Sequence, residues 1–185
     1  MARPNPREDL LRASVAHVSA HGMGDLSLRE LARAIGTSHR MLIYHFGSKE
    51  QLLVSIVEEN EKAQRDSLLG AFASGETSAT EILRLAWSKL ADPSMWPSER
   101  LFFELYGQAL QNREGTTSFL GGIVSSWIEP ASELMSELGV APDLAKAQAR
   151  LNLAVMRGLL LDLLATHDTQ GTREALELFV AMLER

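Results

Sequence analysis

Apolar residues recur every three or four positions along most of this chain, in runs separated by glycine, proline and potential capping residues. That spacing matches one face of an α-helix, whereas a half-buried strand would alternate every second residue. No strand, internal repeat or low-complexity segment is indicated. The pattern predicts an all-α protein with a loop over residues 70–77 and helices over about residues 6–21, 28–35, 38–45, 49–69, 79–90, 99–111, 117–138, 142–166 and 172–183.

Proline and glycine refine two of these helices. Asn5 and Pro6 supply a cap followed by a proline at the first helical position, and Gly22 is expected to end that helix. Pro130 lies inside the predicted helix 117–138 and lacks a backbone donor. We therefore expect that helix to kink or to divide in two.

Two short helices joined by a tight turn are predicted by the segment SLRELARAIGTSHRMLIYHFGSK. Ser27 and Glu30 form an S-x-x-E capping box, in which the hydroxyl and the carboxylate each satisfy a free backbone N–H. Gly36 tolerates the left-handed backbone of a sharp reversal, and Thr37 or Ser38 can cap the next helix. This arrangement indicates a helix-turn-helix.

The second helix of the hairpin has a single apolar side, supplied by Leu42 and Phe46. Residues on the opposite side, near the start of a recognition helix, meet base edges in helix-turn-helix proteins. A hairpin that only packs within a helical protein is the alternative. The candidates for the outward face are Ser38, His39, Arg40, Met41 and Tyr44.

Another potential cap follows the hairpin directly. Ser48 and Gln51 repeat the capping-box spacing, and Lys49 falls in the first helical turn. A lysine opposes the helix dipole at this end. Its position is reasonable where an outside anion, such as DNA phosphate, shares the helix N-terminus.

Charge is distributed unevenly along the chain. Residues 1–49 contain seven Lys and Arg and four acids, a net charge of +3, so that the other residues carry −9 within a total of −6. Four of the five histidines also lie in residues 1–49. A basic end on an acidic body favours a protein that binds nucleic acid through that end.

Composition narrows the remaining possibilities. With 185 residues and 45% hydrophobic content, the chain is long enough to bury a substantial core. No apolar run reaches membrane-spanning length and no secretion signal is indicated, so we expect a soluble, cytoplasmic protein. The absence of cysteine excludes disulfides and cysteine-based zinc sites. No common catalytic or cofactor motif occurs, so the sequence favours a protein without enzymatic activity or cofactor.

His17 and His21 are four residues apart on the first predicted helix and in principle could share a metal ion. A solvated helix end that matches the helix dipole is the more ordinary interpretation. No metal site is predicted from the sequence.

The run LRELARAIGTSHRMLIYHFGSKEQLL resembles the DNA-binding signature of the TetR family of bacterial transcriptional regulators. The resemblance implies a three-helix DNA-binding head over residues 1–49 and a helical ligand-binding and dimerisation body over residues 50–185. It implies a repressor that binds a palindromic operator as a homodimer and is released by a small-molecule effector. The alternative is an all-helical small-molecule carrier or small enzyme whose hairpin is only structural.

The resemblance also implies roles for individual residues. Ser27 and Lys49 match positions that contact phosphate in the family. Tyr44 and His45 match an aromatic pair that lies on the DNA backbone or on base edges.

Two positions depart from the usual pattern of the family. Ile43 stands where tyrosine is most common, so one familiar phosphate contact is absent. Arg40 stands where glycine or another small residue is usual. Its guanidinium can form a bidentate pair with guanine or reach the nearest phosphate, and we expect DNA contact in either case.

Large aromatic and apolar residues on several predicted helices of the body provide material for a ligand pocket. Each of them could instead belong to the ordinary core, and none identifies the ligand. The ligand-binding candidates are Trp87, Trp96, Phe103, Tyr106, Trp127 and Met156.

The predicted helix 142–166 is apolar around much of its circumference. Such a helix must be buried on most sides, so one side can face its own body and another a partner subunit. The last helix would complete a four-helix contact between two copies. A helix wholly internal to a monomer is the alternative. The predicted interface residues are Leu153, Met156, Leu160, Leu164, Leu176 and Phe179.

Overall fold

The computed structural model describes residues 5–22, 27–73 and 78–184. In these ranges the chain forms ten α-helices and no strand, which confirms the all-α prediction. The helices are α1 (Pro6–His21), α2 (Leu28–Ala34), α3 (His39–Phe46), α4 (Lys49–Ala73), α5 (Ala79–Leu90), α6 (Trp96–Leu110), α7 (Thr117–Ile123), α8 (Ser125–Glu137), α9 (Pro142–Thr166) and α10 (Thr169–Leu183). α4 continues past its predicted end, and residues 74–77 of the predicted loop lie outside the described ranges.

Reciprocal caps start α2 and α5. The Ser27 hydroxyl accepts a hydrogen bond from the Glu30 N–H at 3.3 Å, and the Ser27 N–H donates to the Glu30 carboxylate at 2.8 Å. Ser78 and Glu81 repeat this geometry at 3.3 Å and 2.7 Å. Because the first turn of a helix leaves N–H groups without helical partners, these bonds fix where each helix begins.

The predicted helix 117–138 divides at Val124 and not at Pro130, which lies inside α8. Gly121 and Gly122 stand just before the division, and glycine has a low helix propensity. The Ile128 N–H bonds to the Val124 carbonyl at 3.1 Å and so starts the new helix. The placement of the break at Pro130 is thus corrected.

Packing separates the chain into two units. The first comprises the residues up to Ala63 together with Pro97–Gly121, and the second comprises Gln64–Trp96 together with the residues from Gly122 onward. The unit boundaries fall within α4, after the first residue of α6 and within α7. They do not test the predicted division after residue 49, which stays a prediction.

The first unit is organised around apolar side chains from α1 to α4, α6 and α7. Within it, α2 packs against α1 and α3. The Phe102 ring contacts Phe103, Tyr106 and Phe119 at centroid distances between 5.2 and 5.9 Å. The most deeply buried side chains are Val18, Leu31, Leu42, Leu52, Ile56, Val57, Leu105 and Phe119.

The second unit is organised around α9, which packs against α5, α8 and α10. Arg84 on α5 donates hydrogen bonds to Glu177 at 3.0 Å and to Glu184 at 3.4 Å. These ion pairs are solvent-exposed, so they contribute less to stability than the apolar core. That core includes Ile128, Leu163, Leu176 and Val180.

None of the helices in these two units, as far as the structure describes them, has the length and apolar character that crossing a bilayer requires.

Asn152 interrupts the buried stripe of α9. Its side chain lies between Ala149 and Met156 on that stripe, and the residue is only 5% exposed. Neither its amide nitrogen nor its amide oxygen has a hydrogen-bond partner among the described residues. An unpaired buried amide lowers the stability of a folded protein by roughly 1 to 3 kcal/mol.

We predict that Asn152→Leu stabilises the protein. Leucine has nearly the same size and removes two unpaired polar atoms, so Tm should rise by about 2–4 °C for each kcal/mol gained. Leu160→Asn is the matched reverse change on the same stripe and should lower Tm. A fall in Tm for Asn152→Leu in thermal unfolding would contradict this explanation.

Candidate nucleic-acid interface

α2 and α3 form the predicted hairpin. Gly36 has a φ of +74°, and the Thr37 N–H donates to the Ala32 carbonyl at 2.8 Å. The Ser38 hydroxyl caps α3 by accepting a hydrogen bond from the Met41 N–H at 3.2 Å. The turn and the second cap therefore form as predicted.

α3 is attached to the first unit through one side and leaves the other side in solvent. Leu42 and Phe46 are 1% and 6% exposed, whereas Tyr44 is 78% exposed. The remaining outward candidates are exposed as well, namely Ser38, His39, Arg40 and Met41. This side presents hydroxyl, imidazole, guanidinium and phenol groups, all of which can hydrogen-bond to base edges or phosphates.

His45 is placed differently from its neighbour Tyr44. The two rings meet edge to face at 5.0 Å, but His45 is only half-exposed. Its Nε2 is buried and has no hydrogen-bond partner among the described residues. The structure thus turns Tyr44 outward and encloses Nε2 of His45, and the DNA contact expected of the pair stays a prediction.

The start of α4 adjoins α3. Gly47, with a φ of +84°, reverses the chain between the two helices. The Ser48 hydroxyl accepts a hydrogen bond from the Gln51 N–H at 3.1 Å, and Lys49 is the first residue of α4. A half-buried lysine therefore lies at a helix N-terminus, where phosphate binding is favoured.

Two further arginines, which no sequence pattern indicated, contact residues of this surface. The Arg7 guanidinium carbon lies 5.0 Å from the centre of the Phe46 ring, and so covers the end of α3. Arg113 Nη2 lies 3.7 Å from Glu50 Oε1 and offsets the acid next to Lys49. Each contact joins residues that are far apart in the sequence, so no local spacing predicts it.

Ser27 is the N-cap residue of α2, and its hydroxyl and backbone N–H both take part in the cap. Hydrogen bonds from the hydroxyl and the backbone N–H of Ser27 lower the pKa of Glu30 from its ordinary value of 4.5. The residue is exposed, so its hydroxyl lies at the protein surface while it also orders the helix start.

Residues 10–56, which include α2 and α3, match the sequence model of the bacterial regulatory proteins of the TetR family. This chain resembles the TetR-family regulators in the region of its hairpin. Its relatives include the HTH-type transcriptional repressor AcnR of Corynebacterium efficiens, which is 27% identical over 99 residues. That match covers 52% of this chain and 48% of AcnR, so it spans only about half of each protein.

Solved structures of other regulators share the fold over nearly the whole chain. A TetR-family regulator from Rhodococcus sp. has a TM-score of 0.72 at 19% identity, with 96% of each chain covered. A transcriptional regulator from Saccharomonospora viridis, solved in complex with choline, has a TM-score of 0.70 at 18% identity, with 95% of each chain covered. At these identities the likeness shows the fold alone.

The predicted ligand-binding residues of this chain divide between the two units. Phe103 and Tyr106 belong to the aromatic cluster of the first unit. In the second unit, Trp96 stacks on His167 at 5.2 Å, and Trp127 lies under the Arg65 guanidinium at 5.8 Å.

The other two candidates, Trp87 and Met156, are buried in the second unit. Trp87 also lines a cleft of about 310 Å³, beside Arg84 and Arg173. Polar and charged side chains contribute to the lining of this cleft, and no other ligand candidate lines it.

The predicted dimer residues differ in burial within their own chain, and their part in a dimer stays a prediction. Met156, Leu160 and Leu176 are buried in the core of that chain. Leu153, Leu164 and Phe179 are half-buried. The exposed large apolar residues of these two helices are Leu144, Leu151 and Leu161 on α9 and Leu178 and Met182 on α10.

We predict that Ser27→Ala raises the pKa of Glu30 towards 4.5 and removes a helix cap, at a cost of about 1 kcal/mol. Because the folded-state pKa is lowered, the ionised carboxylate stabilises the fold above pH 4.5, and this contribution is lost as the pH falls through the folded-state pKa. NMR titration of the Glu30 carboxyl measures the change. Ser78→Ala, which removes the equivalent cap of α5, should leave Glu30 unchanged, and an equal effect of both variants would refute the assignment.

Proposed function

We propose that this protein is a DNA-binding transcriptional regulator that docks α3 in the major groove. The exposed side of α3, opposite the buried Leu42 and Phe46, is the observation that carries the proposal. The resemblance to TetR-family regulators supports it, since the matched region contains this hairpin. We propose that the protein binds DNA without catalysing a reaction and that it is located in the bacterial cytoplasm.

Phosphate contacts and base contacts come from different parts of the proposed surface. Lys49 at the start of α4, together with Ser27 and Tyr44, is suited to contact phosphates. Arg40 and His39 lie in the first turn of α3, the part of a recognition helix that meets base edges. The phosphate contacts set the affinity for any DNA, and the base contacts set the preference for a particular sequence.

We propose that two copies associate through the exposed apolar face of α9 and α10. Leu151 and Leu161 on α9, with Leu178 and Met182 on α10, are each at least half exposed. An apolar face on two packed helices is well suited to bind its own copy around a two-fold axis. A symmetric dimer presents two α3 helices and therefore calls for a palindromic operator.

We further propose that the protein represses transcription and that a small molecule bound in the body releases it from DNA. AcnR is described as a repressor, and the Saccharomonospora relative was solved with choline, which supports both parts by analogy. A ligand releases DNA only to the extent that it prefers the conformation that does not bind DNA. A coupling free energy of about 1 to 3 kcal/mol is typical for such a response.

The proposal predicts different effects for Lys49→Gln and Arg40→Ala. Losing Lys49 should weaken binding to all duplexes alike. It should also reduce the slope of the logarithm of the binding constant against the logarithm of the salt concentration by about one, as expected for one lost phosphate contact. Losing Arg40 should reduce the free energy of binding to the operator by about 1 to 3 kcal/mol and should change binding to random DNA little. Fluorescence anisotropy over a range of salt concentrations, on operator and random duplexes, separates the two effects.

Arg173→Ala is the matched control, because it removes an exposed arginine from α10 and should change neither measurement. Equal losses on operator and random DNA for Arg40→Ala would exclude base reading by that residue. Failure of the unaltered protein to bind duplex even at low salt would contradict the proposed function.

The dimer proposal predicts that Leu161→Glu produces monomers without unfolding the chain. Leu161 is 52% exposed, so glutamate is tolerated in the isolated chain but puts a charge into an apolar interface. Analytical ultracentrifugation measures the assembly, and circular dichroism checks the fold. The neighbouring Leu160→Ala should lower stability by about 2 to 5 kcal/mol through loss of core packing. A Leu161→Glu protein that remains dimeric would contradict this interface.

A further inference from the structure

His17 and His21 lie one turn apart near the end of α1 and have no part in the proposed DNA contact. Their rings stack, with centroids 4.6 Å apart and planes inclined by 23°. His21 is exposed and His17 is half-exposed. We propose that these two histidines form a binding site for a divalent transition-metal ion.

A hydrogen bond sets the tautomer of His21. Its Nδ1 lies 3.0 Å from the backbone oxygen of His17. A carbonyl oxygen can only accept, so Nδ1 carries the proton and the lone pair is on Nε2. Metal-bound histidines are commonly oriented in this way, with the other ring nitrogen donating to a backbone carbonyl. The ring is therefore in the tautomer that a metal needs.

One ion could bridge a nitrogen of each ring only after the rings move, since their centroids lie 4.6 Å apart in a stacked arrangement. A tetrahedral ion about 2.0 to 2.1 Å from each imidazole nitrogen holds the two nitrogens about 3.3 Å apart. The rings must tilt towards each other from their present stacked arrangement.

The donor set indicates which ions bind. Imidazole nitrogens favour Zn²⁺, Ni²⁺ and Cu²⁺ over Mg²⁺ and Ca²⁺. In the part of the chain that the structure describes, no cluster of three or more His, Cys, Asp or Glu is positioned to hold a metal. Water therefore completes the coordination, and binding is weaker than at a closed four-ligand zinc site.

The consequence of binding is local. An ion shared by His17 and His21 closes a turn of α1, the helix that packs against α2 of the hairpin. An ion that binds only the folded state raises thermal stability by an amount that grows with the logarithm of its concentration divided by its dissociation constant.

The test is calorimetric titration of the metal-free, full-length protein with ZnCl₂, NiCl₂ and CuCl₂ at neutral pH. We expect one ion per chain, with Cu²⁺ bound most tightly of the three. His17→Gln and His21→Gln should each weaken binding by roughly tenfold or more, because each removes one of the two ligands. His167→Gln is the matched control, since it removes an exposed histidine from the second unit and should leave the affinity unchanged.

A second readout locates the ion without relying on affinity. Substoichiometric Ni²⁺, which is paramagnetic, should broaden the imidazole NMR signals of His17 and His21 before those of the other histidines. The proposal is overturned if the unaltered protein binds none of the three ions, if both glutamine variants keep full affinity, or if His167→Gln loses as much.

Discussion

The exposed side of α3, which is proposed to read DNA, depends on the burial of the opposite side. A helix of eight residues is too short to be stable alone in water, so packing must hold it. Leu42 and Phe46 supply that packing, and Arg7 covers the Phe46 ring. Gly36 and Gly47, both with left-handed backbone, set the direction in which the chain enters and leaves the helix. The orientation of every proposed base contact follows from these few constraints.

Electrostatics then determines which partner this surface suits. The first 49 residues carry a net charge of +3, whereas the other residues carry −9, so phosphate attraction is concentrated near the hairpin. The pairing of Glu50 with Arg113 limits the repulsion that an acid beside Lys49 would cause. Attraction of this kind is independent of sequence and weakens with salt. Specificity must therefore come from the side chains at the start of α3.

Caps and turns could be predicted from neighbouring residues in the sequence, whereas the buried faces of the helices depend on tertiary packing. The cap at Ser27 and the turn at Gly36 are specified by residues within one helical turn, so the sequence was sufficient to predict them. For the cap of α3 the sequence left Thr37 and Ser38 open, and the structure shows that Ser38 fills the position. The choice of faces on α9 was not predictable in this way. Leu160 is 3% exposed and Leu161 is 52% exposed, yet both are leucines in one apolar run, and only the packed neighbours distinguish them. The contact of Arg7 with Phe46 has no local signal for the same reason.

The central claim is that two copies of the α3 surface read DNA together. Its most direct test is selection of duplexes from a randomised pool by the full-length protein, followed by sequencing of the bound fraction. The account predicts an inverted repeat whose half-sites are spaced about 10 base pairs, or a multiple of that distance, from centre to centre. A bound fraction indistinguishable from the starting pool, or one enriched only in a single unrepeated site, would contradict it.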